Sequence, residues 1–312
     1  MKTSLLDLLV CPLCLPREIA LTAVITAERG GDIGEGALTC PGCGGSYPVR
    51  EGIAFLDPAA RMETKPPSKY ETAPVVSSYL WSHYGDILGD PEASSAYAEW
   101  AGLVSGGSGA VLDIGSAVGR FAFEMSRTHD FAVGIDNSVA FIRAARELLV
   151  RGRKAVALRE EGLLTREETV VLPGQWRTDR VEFIVADALA LPFRSGSFAA
   201  AASLNIADKV PLPLQHLREA NRVTRDREAQ FLLSDPFSWS DEVARPEDWL
   251  GGTATGLYAG RGLDNIAALL AGKDRLLMPP WRVAGRGSAW WKIRTHVNHF
   301  ELIRSCFVKA ER

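Results

Sequence analysis

The chain of 312 residues lacks several features that would place it in a familiar functional class. The apolar run over residues 1–10 is too short for a signal peptide or a membrane span. There is no phosphate-binding loop with its lysine and no Ser-His-Asp arrangement, so kinase and hydrolase functions have no support. The formal net charge is only -3, whereas nucleic-acid binding usually requires a basic excess or a basic patch. We therefore expect a cytoplasmic protein without a membrane partner, for which nucleic acid is a disfavoured partner.

Cysteine is also scarce, but four of the five cysteines form two C-x2-C pairs. Cys11 with Cys14, and Cys40 with Cys43, can each present two thiolates from one tight turn, and two such turns complete a tetrahedral zinc site. Two redox disulfides are the alternative, but no thioredoxin-like βαβ pattern surrounds either pair. Since four protein ligands leave no open position on the metal, we expect structural Zn²⁺. Cys306 stands alone and is expected to be a small buried residue.

The segments around these pairs carry a resemblance. With the apolar residues 5–12 and 47–56, residues 1–57 resemble the zinc-ribbon domain that occurs alone or ahead of many bacterial methyltransferases and glycosyltransferases. We expect the ribbon to be a separate small unit that could bind a protein partner or form a homodimer. The prolines between Asp57 and Ser68 predict a linker after it.

The most informative segment is residues 111–120, an apolar run that ends at Asp113 and turns through Gly115 and Gly119 into an amphipathic run. This order predicts strand, loop and helix. A second apolar run ends at Asp136, where a carboxylate suits the hydroxyls of a ribose next to a nucleoside-binding turn.

The loop favours one cofactor over another. A dinucleotide fingerprint needs three glycines at this turn, and the acid at Asp113 would repel a pyrophosphate. The pattern resembles the first motif of class I methyltransferases, with Ala117 in place of the usual middle glycine. That resemblance implies that S-adenosylmethionine (SAM) binds here, with Asp113 receiving its ammonium group through water.

Two later segments extend the same resemblance. Asp187 follows a predicted strand, and with Ala188 it matches the position where this fold reads the adenine, although an aspartate there could instead cap a helix. Asn205 follows the next strand and is expected near the sulfonium, while Asn137 adjoins the ribose acid. Asp208 could orient or deprotonate a nucleophile.

The alternation of strand and helix from residue 110 predicts an α/β fold, a Rossmann-like class I methyltransferase sheet with helices on both faces. We expect three parts: a zinc ribbon (1–57), a linker and helical cap (58–109) and a methyltransferase domain (110–312). Residues 152–180 form a connection long enough to be functional or disordered. Strands are expected near 110–114, 131–135, 181–185, 198–204 and 229–234, helices near 119–129, 138–151 and 213–224, and a final antiparallel pair near 289–297 and 300–309.

Aromatic and histidine residues supply further candidates. Six aromatic residues lie between residues 70 and 104, and they either pack a cap helix or line the cofactor pocket, with Tyr84 as the candidate. His296 and His299, near the last predicted turn, are candidate general bases or hydrogen-bonded surface residues. Four tryptophans could close an apolar pocket or pack in the core: Trp239, Trp249, Trp290 and Trp291.

A closer resemblance covers residues 110–252. The loop 113–120, the acidic segment 157–164, the segment 205–210 and the tryptophan-containing segments 235–239 and 247–252 are similar to the mercaptohistidine N-methyltransferase domain of ovothiol biosynthesis. Residues 286–299 depart from that family, and the ovothiol enzyme has no zinc ribbon. The resemblance implies an imidazole-type acceptor.

We therefore expect a SAM-dependent methyltransferase that modifies a heteroaromatic nitrogen, or a thiol, of a small molecule. Two alternatives stay open. The first is an RNA methyltransferase, since some ribosomal RNA methyltransferases pair a zinc ribbon with this fold; Arg17, Arg29 and Arg50 are too scattered to form a phosphate track. The second is a non-catalytic module whose ribbon recruits a protein.

Overall fold

A computed structural model describes residues 1–58 and 68–312. The predicted linker between Asp57 and Ser68 falls mainly on residues 59–67, which lie outside the described residues. Within the described ranges, no helix combines the length and the apolar character needed to cross a bilayer.

The N-terminal part is a four-stranded antiparallel sheet in the order β1-β2-β3-β4. Two short 3-10 turns precede it, and the second, Pro12–Cys14, contains one residue of the first cysteine pair. The strands are β1 (Thr22–Arg29), β2 (Asp32–Thr39), β3 (Ser46–Arg50) and β4 (Ile53–Ala54).

The rest of the described chain is built on a seven-stranded sheet in the order β12-β13-β11-β10-β5-β6-β9. The five adjacent strands from β11 to the edge strand β9 are parallel, whereas β13 runs antiparallel to both of its neighbours. The strands are β5 (Ala110–Ile114), β6 (Phe131–Asp136), β9 (Val181–Val185), β10 (Phe198–Leu204), β11 (Gln230–Asp235), β12 (Arg282–His296) and β13 (His299–Glu311). A separate hairpin is formed by β7 (Arg153–Glu161) and β8 (Leu164–Val171).

The strands of the sheet centre are buried on both faces, which explains their nearly continuous apolar sequences. Helices α3, α4 and α5 connect parallel strands, and α4 and α5 have strongly amphipathic sequences that bury one face. The helices are α1 (Ala73–Tyr84), α2 (Ala96–Leu103), α3 (Arg120–Met125), α4 (Val139–Arg151), α5 (Pro213–Val223) and α6 (Gly262–Leu270).

The predicted α/β fold is confirmed, with four local differences. The connection 152–180 contains the β7–β8 hairpin, which buries Val156, Leu158 and Val170 on one face while most of its polar residues are exposed. The helix expected over 119–129 ends at Met125. β12 begins at Arg282, seven residues before the predicted start, and α6 was not predicted.

The small N-terminal sheet packs directly on the seven-stranded sheet, instead of forming the separate unit expected from the sequence. The Leu56 N–H donates to the Val185 carbonyl at 2.7 Å, and Phe55 forms a parallel bridge with the same residue at the end of β9. The Val10 N–H donates to the Pro192 carbonyl at 2.9 Å. The two sheets share one hydrophobic cluster, so the ribbon and the larger sheet are parts of one packed body.

An ion-pair network crosses the same interface. The buried Arg146 of α4 bonds the carboxylate of Asp32 at 2.7 Å and that of Glu182 at 2.6 Å. Glu182 lies in β9 and is fully buried, and the ammonium group of Met1 lies 2.5 Å from Asp32. Since removing one partner leaves a buried charge unpaired, this network fixes the position of the ribbon on the sheet.

Candidate functional site

A cavity of about 500 Å³, the main cavity, lies where the parallel strands β5, β6, β9 and β10 end. Its position agrees with the rule that ligands of open α/β sheets bind beyond the carboxyl ends of the strands. We call one side the strand-end wall; it consists of Gly115, Ala117, Asp136, Asn137, Asp187, Ala188 and Asn205. We call the other side the aromatic wall; it consists of Tyr70, Tyr79, Tyr97, Phe141 and Trp291.

The loop after β5 is held in a left-handed conformation that requires glycine. Gly115 has φ +77°, and a Cβ atom there would lie 2.4 Å from a methyl carbon of Ile206. Gly119 has φ +88°, and a Cβ atom would lie 2.5 Å from the ring of Phe183. Ala117 adopts φ +44°, a conformation that costs an L-residue roughly 1–2 kcal/mol. The sequence therefore stores some strain in the loop.

Asp136 holds this loop from the neighbouring strand. Its carboxylate accepts from the N–H of Ala117 at 3.0 Å and from the N–H of Ser138 at 2.8 Å. Burial raises the pKa of Asp136 to about 6, against the lowering effect of these hydrogen bonds, and Glu71 raises it further. The carboxylate lies at the cavity, so it is a hydrogen-bond acceptor whose ionisation changes near neutral pH.

Asp113 lies beneath the loop and does not line the main cavity. Its side chain is 2 % exposed and accepts from the N–H of Ala122 at 3.2 Å. Burial raises the pKa of Asp113 to about 8, and the charge of Asp136 adds to that effect. Gly119, which also does not line the cavity, is the N-cap residue of α3.

The turn after β9 completes the strand-end wall. Asp187 accepts from the N–H of Leu189 at 2.9 Å, and the Ala190 N–H donates to the Asp187 carbonyl. The segment is a turn without a following helix, so Asp187 does not cap a helix. Asp187, Ala188 and Leu189 all line the cavity.

Asn205 and Trp291 bring unpartnered donors to the cavity. Asn205 has φ +61°, and its side-chain oxygen accepts from the Ser305 hydroxyl at 2.6 Å. Within the described residues, the Asn205 Nδ2 and the Trp291 Nε1 are buried and have no hydrogen-bond partner. Such donors are costly to bury alone, which is consistent with a cavity that receives a ligand with acceptor atoms.

The aromatic wall is a packed cluster of rings. Tyr79 lies 4.6 Å from Phe141, 6.1 Å from Tyr70 and 6.1 Å from Trp291 between ring centroids. Burial raises the pKa of Tyr79 and of Tyr97 well above the ordinary value, so both phenols stay protonated at neutral pH. This wall is therefore apolar and uncharged, with hydroxyl and indole donors at its edges.

The structure does not bring Tyr84 to the main cavity. Tyr84 is fully buried, and its hydroxyl donates to the Val118 carbonyl at 2.8 Å, so it supports the loop after β5 from below. Tyr79 lines the cavity instead. The two tyrosines are five residues apart, which is about 140° around the helix, and they therefore face different directions.

Asp208 is 1 % exposed and also lies outside the cavity wall, although the next residue, Lys209, lines it. The Asp208 carboxylate accepts from the N–H of Ser238 at 2.7 Å and lies 3.1 Å from the Lys209 ammonium. Burial and the nearby Asp208 raise the pKa of Asp235 to about 8. These contacts hold the loops after β10 and β11 together. Asp208 therefore supports the site and does not face the cavity.

His296 and His299 lie at the tip of the β12–β13 hairpin, with ring centroids 5.6 Å apart. Neither lines the main cavity. Of the four tryptophans that could close a pocket or pack in the core, only Trp291 lines the main cavity. Trp290 is 54 % exposed because neighbours on a strand face opposite sides, and Trp239 stacks with Trp249 away from the cavity.

The four paired cysteines converge beside the turn that joins β2 to β3 in the small sheet. The Sγ atoms of Cys11 and Cys43 are 3.6 Å apart, those of Cys14 and Cys40 are 3.7 Å apart, and all four lie within 4.8 Å of one another. No disulfide joins them. A tetrahedral ion with Zn–S distances of about 2.3 Å places its sulfurs roughly 3.8 Å apart, so the cluster has the geometry of a four-sulfur zinc site.

Comparisons with known proteins agree with both parts of the fold. Residues 112–228 match a family model described as a methyltransferase domain, and residues 2–52 match a model described as a Trm112p-like protein. No curated protein matches the chain. Neither matching family model is described as an ovothiol enzyme, so the resemblance to that enzyme stays a prediction.

Solved structures with a similar fold are distant in sequence. YcgJ of Bacillus subtilis is 14 % identical with a TM-score of 0.43, over 74 % of this chain and 98 % of that one. A SAM-dependent methyltransferase of Methanosarcina mazei is 18 % identical with a TM-score of 0.42, over 65 % and 92 %. A Haloferax volcanii complex of the Trm112 methyltransferase activator with a candidate methyltransferase is 14 % identical with a TM-score of 0.41, over 80 % and 100 %.

The two family matches and the seven-stranded sheet agree on one interpretation. The chain joins an N-terminal Trm112-like domain to a methyltransferase domain with a Rossmann-like α/β sheet.

Proposed function

We propose that the main cavity binds SAM along the strand-end wall. Asp136 carries this proposal, because its carboxylate lies at the end of β6 and beside the left-handed loop. In this assignment it accepts the ribose hydroxyls, and the backbone of Gly115 and Ala117 faces the methionine part. The other residues of the proposed donor site are Asn137, Asp187, Ala188 and Asn205, whereas Asp113 and Gly119 shape the loop from behind the cavity wall.

The charges of the cavity support a cationic donor. Asp57, Glu71, Asp136 and Asp187 line it, against the single cation Lys209. SAM carries a sulfonium and an ammonium group, and both gain from acidic surroundings. A diphosphate would be repelled by the same acids. Calorimetric titration with SAM tests the assignment, and absence of binding by the wild-type chain would refute it.

We further propose that the acceptor is a small molecule with a heteroaromatic nitrogen or a thiol. The support is the aromatic wall, which offers ring surfaces and uncharged donors instead of a basic surface. Such a wall excludes water and positions a planar acceptor, which methyl transfer needs more than strong acid-base catalysis. An imidazole ring has the size and the acceptor nitrogen that would suit Trp291 and Asn205.

His296, His299, Tyr84 and Asp208 are not included in the proposed reacting site. The two histidines lie at the hairpin tip, and the other two side chains support loops from below. In-line attack by a neutral nitrogen on the methyl group needs no base before the transfer. A proton can leave afterwards to water.

We propose that the cysteine cluster of the Trm112-like domain holds structural Zn²⁺, with Cys11, Cys14, Cys40 and Cys43 as ligands. The spacing of the sulfurs supports this. The metal would supply folding free energy to a small sheet, and its four thiolates leave no position for a substrate. Elemental analysis should find one zinc per chain.

A second candidate function is methylation of RNA, with the Trm112-like domain in a binding role. The observation that favours it is the match of residues 2–52. A screen with methyl-labelled SAM against histidine derivatives, low-molecular-weight thiols and total RNA decides between the candidates. Label in a small molecule supports the first, and salt-sensitive label in RNA supports the second. A chain that binds SAM but labels nothing in the screen would contradict both.

A further inference from the structure

A second cavity, of about 180 Å³, opens between the first turns of α1, the β7–β8 hairpin and β12. Its polar wall includes Ser77 of α1, Arg159 and Thr165 of the hairpin, and Arg294 of β12. None of these residues lines the main cavity. We therefore treat this cavity, the hairpin cavity, as a separate site.

Arg294 is the residue that points to a ligand. It is 4 % exposed, and within the described residues its Nε has no hydrogen-bond partner. Its Nη2 donates to the Arg159 carbonyl at 3.3 Å, and its Nη1 lies 3.6 Å from the carboxylate of Asp90. A buried donor without a partner costs about 1–3 kcal/mol, so a protein rarely keeps one without a use.

The geometry of the guanidinium group gives the direction of this free N–H. The Nε–H and the Nη2 share one edge of the planar group, and Nη1 lies on the other side. Arg159, the partner of Nη2, lines the hairpin cavity, whereas Asp90, the partner of Nη1, lines a third cavity of about 300 Å³ that Arg294 also borders. The free Nε–H therefore lies on the edge that faces the hairpin cavity, and it forms half of a side-on fork for an oxyanion.

The first turn of α1 adds positive potential at the same place. Ala73 and Pro74, the first residues of this 12-residue helix, line the hairpin cavity. The N-cap residue Thr72 makes no side-chain cap bond, because its hydroxyl donates to the Lys69 carbonyl, and the first turn has no acidic residue. Pro74 has no N–H, so the Ala73 amide is the backbone donor that the positive end of the helix brings to this cavity.

The lining of the cavity matches such a ligand in charge and size. Two arginines line it and no carboxylate does. Acids do lie nearby, since Asp90 faces the outer side of Arg294 and Glu160 and Glu168 are on the hairpin. The volume corresponds to roughly six water molecules, which suits a single phosphate-sized group and is too small for a nucleotide.

We propose that the hairpin cavity is a binding site for a small tetrahedral oxyanion, a phosphate or sulfate group, held by Arg294, Arg159, Ser77 and the first turn of α1. The same helix carries Tyr79 of the aromatic wall on another face. An anion at its first turn would therefore steady a helix that also forms the main cavity.

Titration of the full chain with inorganic phosphate tests the proposal, by calorimetry at constant ionic strength with chloride as the reference anion. The wild type should bind one phosphate per chain. Arg294→Lys, which keeps the charge but loses the fork, should weaken binding about tenfold, a loss of about 1.4 kcal/mol. Arg294→Gln should abolish it, while Arg151→Gln, at an exposed arginine of α4, should leave it unchanged.

Two further variants guard against misfolding at the buried arginine. Arg159→Gln, on the exposed side of the hairpin, and Ser77→Ala should each weaken phosphate binding about threefold or more, with a far-ultraviolet spectrum like that of the wild type. Equal phosphate affinity in the wild type, Arg294→Gln and Arg159→Gln would overturn the proposal, and so would absence of saturable binding in the wild type.

A lipid headgroup carries the same phosphate chemistry. Because the cavity has a volume of only about 180 Å³, we predict that the chain does not sediment with vesicles containing phosphatidic acid. Sedimentation that depends on Arg294 would instead assign the site to a membrane lipid and contradict a free ion.

Discussion

The two walls of the main cavity differ in how they are built. The strand-end wall consists of turns directly after β5, β6, β9 and β10, held within one turn, as by Asp187 to Leu189, or between adjacent strand ends, as by Asp136 to Ala117. The aromatic wall combines rings from residues 70–97, from α4 and from β12, which lie up to 221 positions apart (291 minus 70). The first wall is local and polar, whereas the second depends on tertiary packing. We infer that turn motifs at the strand ends determine the donor side, whereas tertiary packing of distant rings determines the acceptor side.

The largest expected effect comes from the ribbon, which supports the strand-end wall from outside. Cys14→Ser should lower the melting temperature by roughly 10 °C or more, because structural zinc supplies on the order of 10 kcal/mol in small zinc domains. It should also weaken SAM binding, since Leu56 and Phe55 pair with the end of β9.

Cys306→Ser is the matched control, because this half-buried thiol lies outside the cluster. Calorimetric melting and zinc analysis provide the readouts. If Cys14→Ser melted like Cys306→Ser and kept its donor affinity, the ribbon would not support the donor wall.

The next largest effect separates the two walls directly. Asp136→Ala should weaken SAM binding about a hundredfold, because hydrogen bonds to a charged group contribute about 1.5–3 kcal/mol. Asp179→Ala, at an exposed aspartate paired with Arg177, should change it less than twofold. Isothermal calorimetry measures both, and similar affinities for the two variants would remove Asp136 from the donor site.

A mutation in the aromatic wall should impair use of the methyl acceptor and leave SAM binding nearly unchanged. Tyr79→Leu removes ring contacts with Phe141, Tyr70 and Trp291, and pairs of this kind contribute about 0.5–1.5 kcal/mol each. We expect kcat/KM for the methyl acceptor to fall roughly tenfold, with SAM affinity within about twofold of the wild type. A loss of donor affinity as large as that of Asp136→Ala would show that the walls do not act separately.

The smallest effect is a pH dependence of donor binding. The pKa of Asp136 is raised to about 6 in the folded chain, and only the ionised carboxylate accepts two ribose hydroxyls. SAM affinity should therefore fall as the pH is lowered from 7 to 5, by about tenfold, and Asp136→Asn should flatten this part of the profile.

The same raised pKa has the opposite effect on the stability of the ligand-free chain. Because the folded state holds this proton up to about pH 6 and the unfolded state loses it near pH 4, the contribution of Asp136 to stability falls as the pH rises between these values. A donor affinity that is constant between pH 5 and pH 7 would contradict the assigned role of Asp136.

The contrast between the walls also explains what could be predicted from sequence. Gly115, Asp136 and Asp187 follow strands whose apolar runs are unmistakable, so their positions at the sheet edge could be predicted from spacing. The aromatic wall could be predicted only as a group. Tyr84 and Tyr79 share a helix, and which one faces the cavity depends on the rotation of α1 against β12, which no local pattern records.

Two other features depended on long-range contacts. The β7–β8 hairpin buries only Val156, Leu158 and Val170, and most of its other residues are charged or polar, so its apolar alternation is too short to indicate two strands. The docking of the ribbon relies on Arg146 of α4 meeting Asp32 and Glu182, over separations of 114 and 36 residues. Neither the pairing nor the shared core leaves a periodic signal.

The most direct test of the account is a crystal structure of the chain grown with S-adenosylhomocysteine. We predict that both ribose hydroxyls lie within hydrogen-bond distance of the Asp136 carboxylate, with the adenine beside Asp187 to Leu189 and the sulfur near Asn205. A nucleoside bound elsewhere, or an Asp136 side chain that still bonds only Ala117 and Ser138, would contradict it.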